Sequence, residues 1–173
     1  RGIILCDFFQ NESVSPHQFL DNRDFSEYSG FNLLIGNQDS LHFATNDDPE
    51  NKELAPGLYG LSNARLDTTW PKVQNLKTRL AYLLENQISL NLDMLEKLML
   101  DSREADDTEL PQTGVPLEWE RRLSALFIQT PNYGTRATTI CISDIYGNLQ
   151  ISETTHLPGK AEAEKRQFTF KME

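Results

Sequence analysis

The chain reads as an α+β protein built on antiparallel sheet, and three observations predict it. Strand candidates fall in blocks before and after a pair of helices, with no alternating βαβα repeat. Two short apolar runs, residues 31–36 and Leu41–Thr45, are separated by a polar turn, the pattern of a hairpin. Between the blocks, leucines recur at helical spacing, which places them on one helix face.

In chain order, residues 1–13 are predicted helical. Ser15-Pro16 then starts a short helix running to about Asp24, with Ser15 as N-cap and Pro16 at the first helical position. The run 31–36, bounded by glycines, reads as a buried strand, and Leu41–Thr45 as its alternating hairpin partner. Pro56-Gly57 is a turn, and residues 58–63 a third strand ending in Asn63. Thr69-Trp70-Pro71 opens the clearest helix, with Val73, Leu76, Leu80, Leu83 and Leu84 on one face. A second helix carries Leu92, Leu95, Leu98 and Met99. Stripes of this kind are core rather than cofactor boxes. Residues 101–116 hold Asp101, Glu104, Asp106, Asp107 and Glu109 against Arg103 alone. They read as a solvated loop, because they lack the ligand register of a calcium site. Four more strands are expected at 123–129, 136–143, 149–155 and 167–171, with a turn at 144–148.

A length of 173 residues fits one domain spanning residues 1–173 with a sizeable core. A net charge of −10 argues against nucleic acid as partner, since neutralising phosphates takes clustered Lys and Arg. The apolar runs are only a few residues, so no integral membrane segment is expected, and no signal peptide is visible. Cys6 and Cys141 sit among apolar neighbours and read as core residues of a protein in a reducing compartment. His17, His42 and His156 show no Cys, His or acidic partner at ligand spacing, so no metal site is expected.

Several motifs follow one another along the chain. They are Gly30-Phe31-Asn32-Leu33-Leu34, then Pro56-Gly57-Leu58-Tyr59-Gly60-Leu61-Ser62-Asn63-Ala64, then Thr69-Trp70-Pro71-Lys72. Pro131-Asn132-Tyr133-Gly134-Thr135-Arg136 and Gln167-Phe168-Thr169-Phe170 complete the series. In order and spacing they resemble the transport and Golgi organisation protein 2 family, also called the Asn-Arg-Asp-Glu family. The chain's own Asn22-Arg23-Asp24 is followed by Phe25 and reads as a coincidence on a surface loop, because the family's naming motif lies farther upstream.

The family in turn resembles N-terminal-nucleophile hydrolases. The resemblance implies an αββα sandwich of antiparallel sheets, with the N-terminal part missing and this chain matching the C-terminal two-thirds. It implies a cysteine thiolate nucleophile upstream, with its α-amine, of pKa about 8, as base. Neither Cys6 nor Cys141 fills that place. By the same resemblance Asn63 matches an oxyanion-hole asparagine and Arg136 an arginine that orients nucleophile or substrate. Asn32, Tyr59, Ser62, Trp70 and Tyr133 are the implied ligand contacts. Structural roles compete with these: Asn63 as a turn residue, Arg136 as a buried ion-pair arginine.

The leading expectation is a protein handling a small hydrophobic or acyl-bearing ligand, such as haem or a lipid metabolite, with a link to Golgi organisation and secretion. No cofactor is required, and haem enters only as a bound ligand, with His42 the best placed of the histidines. The alternatives are an amide (C–N) hydrolase whose nucleophile lies upstream, and a protein-interaction module in secretory traffic. The expected location is cytoplasmic, with mitochondrial or Golgi association as the other options. Oligomeric state is left open.

Overall fold

The computed structural model describes residues 2–11, 14–157 and 164–171, with residues 48–50 described by backbone alone. The architecture is α+β, with two separate three-stranded antiparallel sheets of order β1-β2-β3 and β4-β5-β6. The chain divides into two compact units, Arg1–Gly57 and Leu58–Glu173.

The first unit begins with α1 (Gly2–Gln10) and α2 (Pro16–Asp21). The Ser15 start signal is a full capping box. Ser15 Oγ accepts from the Gln18 backbone N–H at 3.3 Å, and Gln18 Oε1 accepts from the Ser15 N–H at 3.4 Å. The helix stops at Asp21, three residues short of the expected end, because Asn22 donates its side-chain amide back to the Gln18 carbonyl. Strands β1 (Asn32–Gly36) and β2 (Leu41–Thr45) form the expected hairpin, in a register that pairs Asn32 with Thr45 and Gly36 with Leu41. As the central strand, β2 is buried from His42 through Thr45 rather than alternating. Its outer neighbour β3 (Asp48–Glu53) was not expected, since its sequence is charged and contains Pro49. Pairing with β2 makes it a strand, and its composition suits a sheet edge.

Ile4, Phe19, Leu20, Leu33, Ile35 and Ala44 form the core of this unit. Phe25 stands edge-on to Phe31 at 5.2 Å, and Phe8 to Phe19 at 5.1 Å. Cys6 is exposed, correcting its expected core placement, because α1 turns Ile4 inward and Cys6 away from that face.

The second unit starts with an irregular segment, residues 58–70, where a third strand had been expected at 58–63. No ladder forms because Gly60 packs directly on the following helix. A β-carbon at Gly60 would fall inside the contact distance of Val73 Cγ1 and 3.3 Å from Lys77 Cδ. Helices α3 (Pro71–Glu85) and α4 (Leu92–Met99) follow as predicted. Val73 is the buried residue of α3, whereas Leu84, expected on the same face, is exposed. Asn91 caps α4 by accepting from the Met94 N–H at 2.9 Å.

The acidic stretch after α4 is not simply a solvated loop. The Asp101 side chain is only 12% exposed, with Arg79 on one oxygen at 2.9 Å and Arg103 bidentate across both. The strand expected at 123–129 does not form, and a 3₁₀ turn, Asp107–Glu109, leads to α5 (Leu117–Leu123), a helix that was not expected. Its signals are acids in the first turn and arginines in the last. The apolar residues that follow stay irregular, ending in an isolated bridge between Gln129 and Gly134.

Strands β4 (Ala137–Ser143), β5 (Asn148–Thr155) and β6 (Glu164–Lys171) complete the unit. Buried Thr138, Ile140, Ser152 and Thr154 share one face of this sheet, and α4 packs against β4 and β5. Thr154 donates to Glu96 of α4, and Lys165 of β6 pairs with Asp93 and Glu96, each at 2.7 Å. The opposite face aligns Cys141, Ile151 and Phe168 across the three strands. Cys141 is therefore exposed, a second correction, because strand alternation gives the buried side to Thr138 and Ile140. Among the described residues no helix is long and apolar enough to cross a membrane.

Candidate ligand-binding site

Two of the sequence motifs build the walls of one cavity in the second unit, and most of their residues do so structurally. In the first motif, Asp67 closes the loop. Its backbone is left-handed (φ 59°), its N–H donates to the Gly60 carbonyl at 2.7 Å, and its Oδ1 accepts from the Gly60 N–H at 2.8 Å. Lys77 of α3 donates to the same oxygen at 2.6 Å, fastening the loop to the helix. That hydrogen bond holds the Asp67 carboxyl below its ordinary pKa. The closure leaves Asn63 exposed at a bend, not at the end of a strand.

In the second motif, a β-carbon on Gly134 would lie 2.6 Å from the Ile128 carbonyl oxygen, so the close approach needs glycine. Thr135 supplies two bonds there. Its backbone N–H donates to the Ile128 carbonyl at 2.9 Å, and its hydroxyl accepts from the Ile128 N–H at 3.0 Å. Thr130 brackets Tyr133 in the same way, its hydroxyl donating to the Tyr133 carbonyl at 2.6 Å and accepting from the Tyr133 N–H at 3.0 Å. The Tyr133 ring is set edge-on to Trp119 of α5 at 5.8 Å.

Between these loops, α5 and the start of α3 lies a cavity of about 370 Å³, walled by Asn63, Trp70, Lys72, Glu120, Ile128 and Tyr133 among others. Of the residues implied by the family resemblance, it brings together Asn63, Trp70 and Tyr133. Tyr59 and Ser62 face a smaller neighbouring cavity of about 140 Å³, bordered by Leu76 and Leu80 of α3. Arg136 lines neither cavity. It is exposed immediately before β4, where its carbonyl accepts from the His156 N–H at 2.8 Å, so it is not a buried ion-pair arginine. Asn32 belongs to the first unit, exposed at the start of β1 opposite Thr45.

Sequence reasoning missed two charged groups in the larger cavity. Glu120 is buried at 6% exposure, and its Oε1 accepts from both the N–H and the hydroxyl of Thr113, at 2.6 and 2.7 Å. It lies on α5, a short helix that the sequence reading did not assign, and nothing local marks it as buried. Lys72 donates to the Leu123 carbonyl at 2.8 Å, and its ammonium stands 5.5 Å from the centre of the Trp70 ring. Among the described residues no carboxylate pairs with it, and burial pushes its pKa down. The visible signal was Trp-Pro-Lys at a helix start, which puts the lysine beside its own cavity-lining tryptophan.

The histidines also differ from expectation. His17 and His42 stack at 5.8 Å between ring centres, and His17 Nε2 lies 3.1 Å from Asp21 Oδ2, one helical turn away. His42 is 4% exposed, with Nε2 at 3.2 Å from the Ser40 hydroxyl. His156 meets the Thr138 hydroxyl at 2.9 Å and the Phe127 ring at 4.7 Å. Among the described residues no three metal-type side chains converge.

Residues 1–158 match the family described as Transport and Golgi organisation 2. The chain belongs to this family. The Transport and Golgi organization 2 homolog of Mus musculus is 27% identical over 143 residues, covering 75% of this chain and 52% of that protein. The homolog of Homo sapiens is 28% identical over 139 residues, covering 73% and 50%. The chain thus spans about half the length of these family members. Both cavity-forming motifs lie inside the region matched to the family.

Proposed function

We propose that this chain handles a small ligand with an apolar body and a carbonyl-bearing head, held in the cavity between the 58–70 loop, α5 and the Tyr133 turn. One observation carries the reading. The cavity, about 370 Å³, sets two aromatic rings and the Asn63 amide around one space. Volume and lining suit a compact organic ligand, with apolar walls supplying affinity and a few polar groups fixing orientation. Trp70 and Tyr133 flank the body, and the Asn63 side-chain NH₂ donates to a carbonyl oxygen. Haem at His42 gains no support from this geometry, since that imidazole is buried against His17 and Ser40.

The test is a titration with octanamide, a neutral acyl amide. The chain has two tryptophans, so Trp119→Phe leaves Trp70 as the sole indole reporter. Saturable change in Trp70 emission, weakened by Tyr133→Ala, is the expected result. An emission spectrum indifferent to octanamide up to its solubility limit overturns the reading.

A second reading has its own observation. Asn63 on the cavity wall suits an oxyanion donor in an amide hydrolase of layered αββα type whose nucleophilic cysteine lies in the part of the family not spanned by this chain. Ammonia release from octanamide by a full-length protein separates the two. The relatives' names supply the cellular context we carry over, transport and Golgi organisation, with a cytoplasmic or organelle-associated site of action.

A further inference from the structure

We infer that Lys72 is the recognition group for an oxyanion, so that the ligand of the cavity is an amphiphile ending in a carboxylate or phosphate. This rests on the ligand-handling reading above and specifies the head group.

Lys72 differs from the other part-buried cations of this unit in how its charge is met. Removing an ammonium from water is costly unless a counter-charge or several hydrogen bonds replace the lost solvent. Elsewhere in this unit that requirement is met by carboxylates. Lys77 has Asp67 at 2.6 Å, Lys165 has Asp93 and Glu96 at 2.7 Å, and Arg79 has Asp101 at 2.9 Å. Among the described residues Lys72 has the Leu123 carbonyl and the face of Trp70 and no carboxylate, although the chain as a whole carries a net charge of −10. An ammonium bears three donors, and one is used by Leu123. The remaining donors belong to a side chain that borders the 370 Å³ cavity, the 140 Å³ cavity and a third, polar one of about 410 Å³.

The other cations in these walls, Lys77 and Arg103, are already committed to Asp67 and Asp101. Glu104, Asp106 and Glu109 on the 410 Å³ cavity turn an anion away from that side of Lys72 and toward the 370 Å³ cavity. Glu120 is bound twice by Thr113, and Arg103 is bidentate to Asp101. Lys72 is therefore the cation left to meet a ligand. The Glu120 carboxylate repels an anion from the α5 side, which leaves the end near Trp70 for the head group. A lysine is a point charge and accepts carboxylate or phosphate alike, so the shared chemistry is the oxyanion.

The experiment compares octanoate, octyl phosphate and octanamide, matched in tail, on the same Trp119→Phe chain. Octanoate or octyl phosphate is expected to bind at least about tenfold tighter than octanamide, the scale of one charge-assisted hydrogen bond. The tighter of the two anions identifies the head group. Lys72→Met should erase that preference by weakening the two anions more than octanamide, and Lys72→Arg should retain it. Equal affinity for all three probes overturns the inference and leaves the ligand-handling reading standing. A preference that survives Lys72→Met also overturns it. If none of the three binds, both fall. A cooperative urea transition followed by Trp70 emission shows that Lys72→Met folds.

Discussion

The contact between Gly60 and Val73 makes a sharp test of how the cavity wall is built. A methyl group at position 60 would collide with Val73 Cγ1, and Val73 is 7% exposed on a helix. A helical valine has one strongly preferred rotamer, so it cannot swing aside. Gly60→Ala should therefore overpack the junction, at about 2 kcal/mol, partly offset by about 0.5 kcal/mol from reduced freedom of the unfolded chain. Val73→Ala alone removes two buried carbons and leaves a void, costing about 2 kcal/mol. In the double variant the new methyl occupies the space that valine vacates. The pair should then cost about 2 kcal/mol in total, well below the sum of the single changes, a coupling of about 1.5 kcal/mol. Urea unfolding followed by tryptophan emission is the assay, because Trp70 and Trp119 both lie in the second unit. Additive costs, within about 0.4 kcal/mol, would refute the claim that Gly60 is glycine for reasons of packing.

Two further outcomes follow from the charges and the sheet. The Arg103 hydrogen bonds, aided by Arg79, hold the Asp101 carboxyl at about 2, below the ordinary 3.8. Its contribution is complete above pH of about 5 and is lost as pH falls toward 2. The full shift corresponds to about 2.4 kcal/mol, but Arg103 is 72% exposed and solvent screening reduces this to about 1 kcal/mol. Stability measured by urea midpoint should fall less steeply between pH 5 and 3 in Asp101→Asn than in the parent, and an unchanged slope would contradict the assignment. Ser152 is 1% exposed, and its hydroxyl has no hydrogen-bond partner among the described residues. Ser152→Ala should be neutral or stabilising by up to about 1 kcal/mol, and a clear loss of stability would show that the hydroxyl is bonded.

Elements with their own local signal were legible in the sequence. Ser15-Pro16 announced α2 and the leucine stripe announced α3, and strands were expected at 136–143, 149–155 and 167–171, where β4, β5 and β6 lie. Elements that owe their state to a partner were not. β3 is a strand because β2 offers it a ladder, and Asp48–Glu53 has no preference of its own. The segment 58–63, after the Pro56-Gly57 turn, was expected as a third strand. Its ladder bonds are replaced by the Asp67 closure, and nothing in a local window reports that. The site was half legible for the same reason. Asn63, Trp70 and Tyr133 meet because their motifs make two loops, whereas Glu120 becomes notable only through its burial, and the Trp-Pro-Lys signal of Lys72 gains meaning only from its partnering. The core placement of Cys6 and Cys141 failed because apolar neighbours in sequence say nothing about which side of a helix or strand a residue takes.

The Asp67 closure has a consequence for how this protein can change. Gly60, Asp67, Trp70, Val73 and Lys77 all belong to one continuous stretch, and the Asp67 clasp joins Gly60 to Lys77 within it. One wall of the cavity is thus a local cassette of low contact order, able to form without waiting for distant strand pairing. An exchange at Asn63, which lies on the cavity wall within this loop, would retune which ligands fit while the Gly60–Asp67–Lys77 clasp keeps its own bonds.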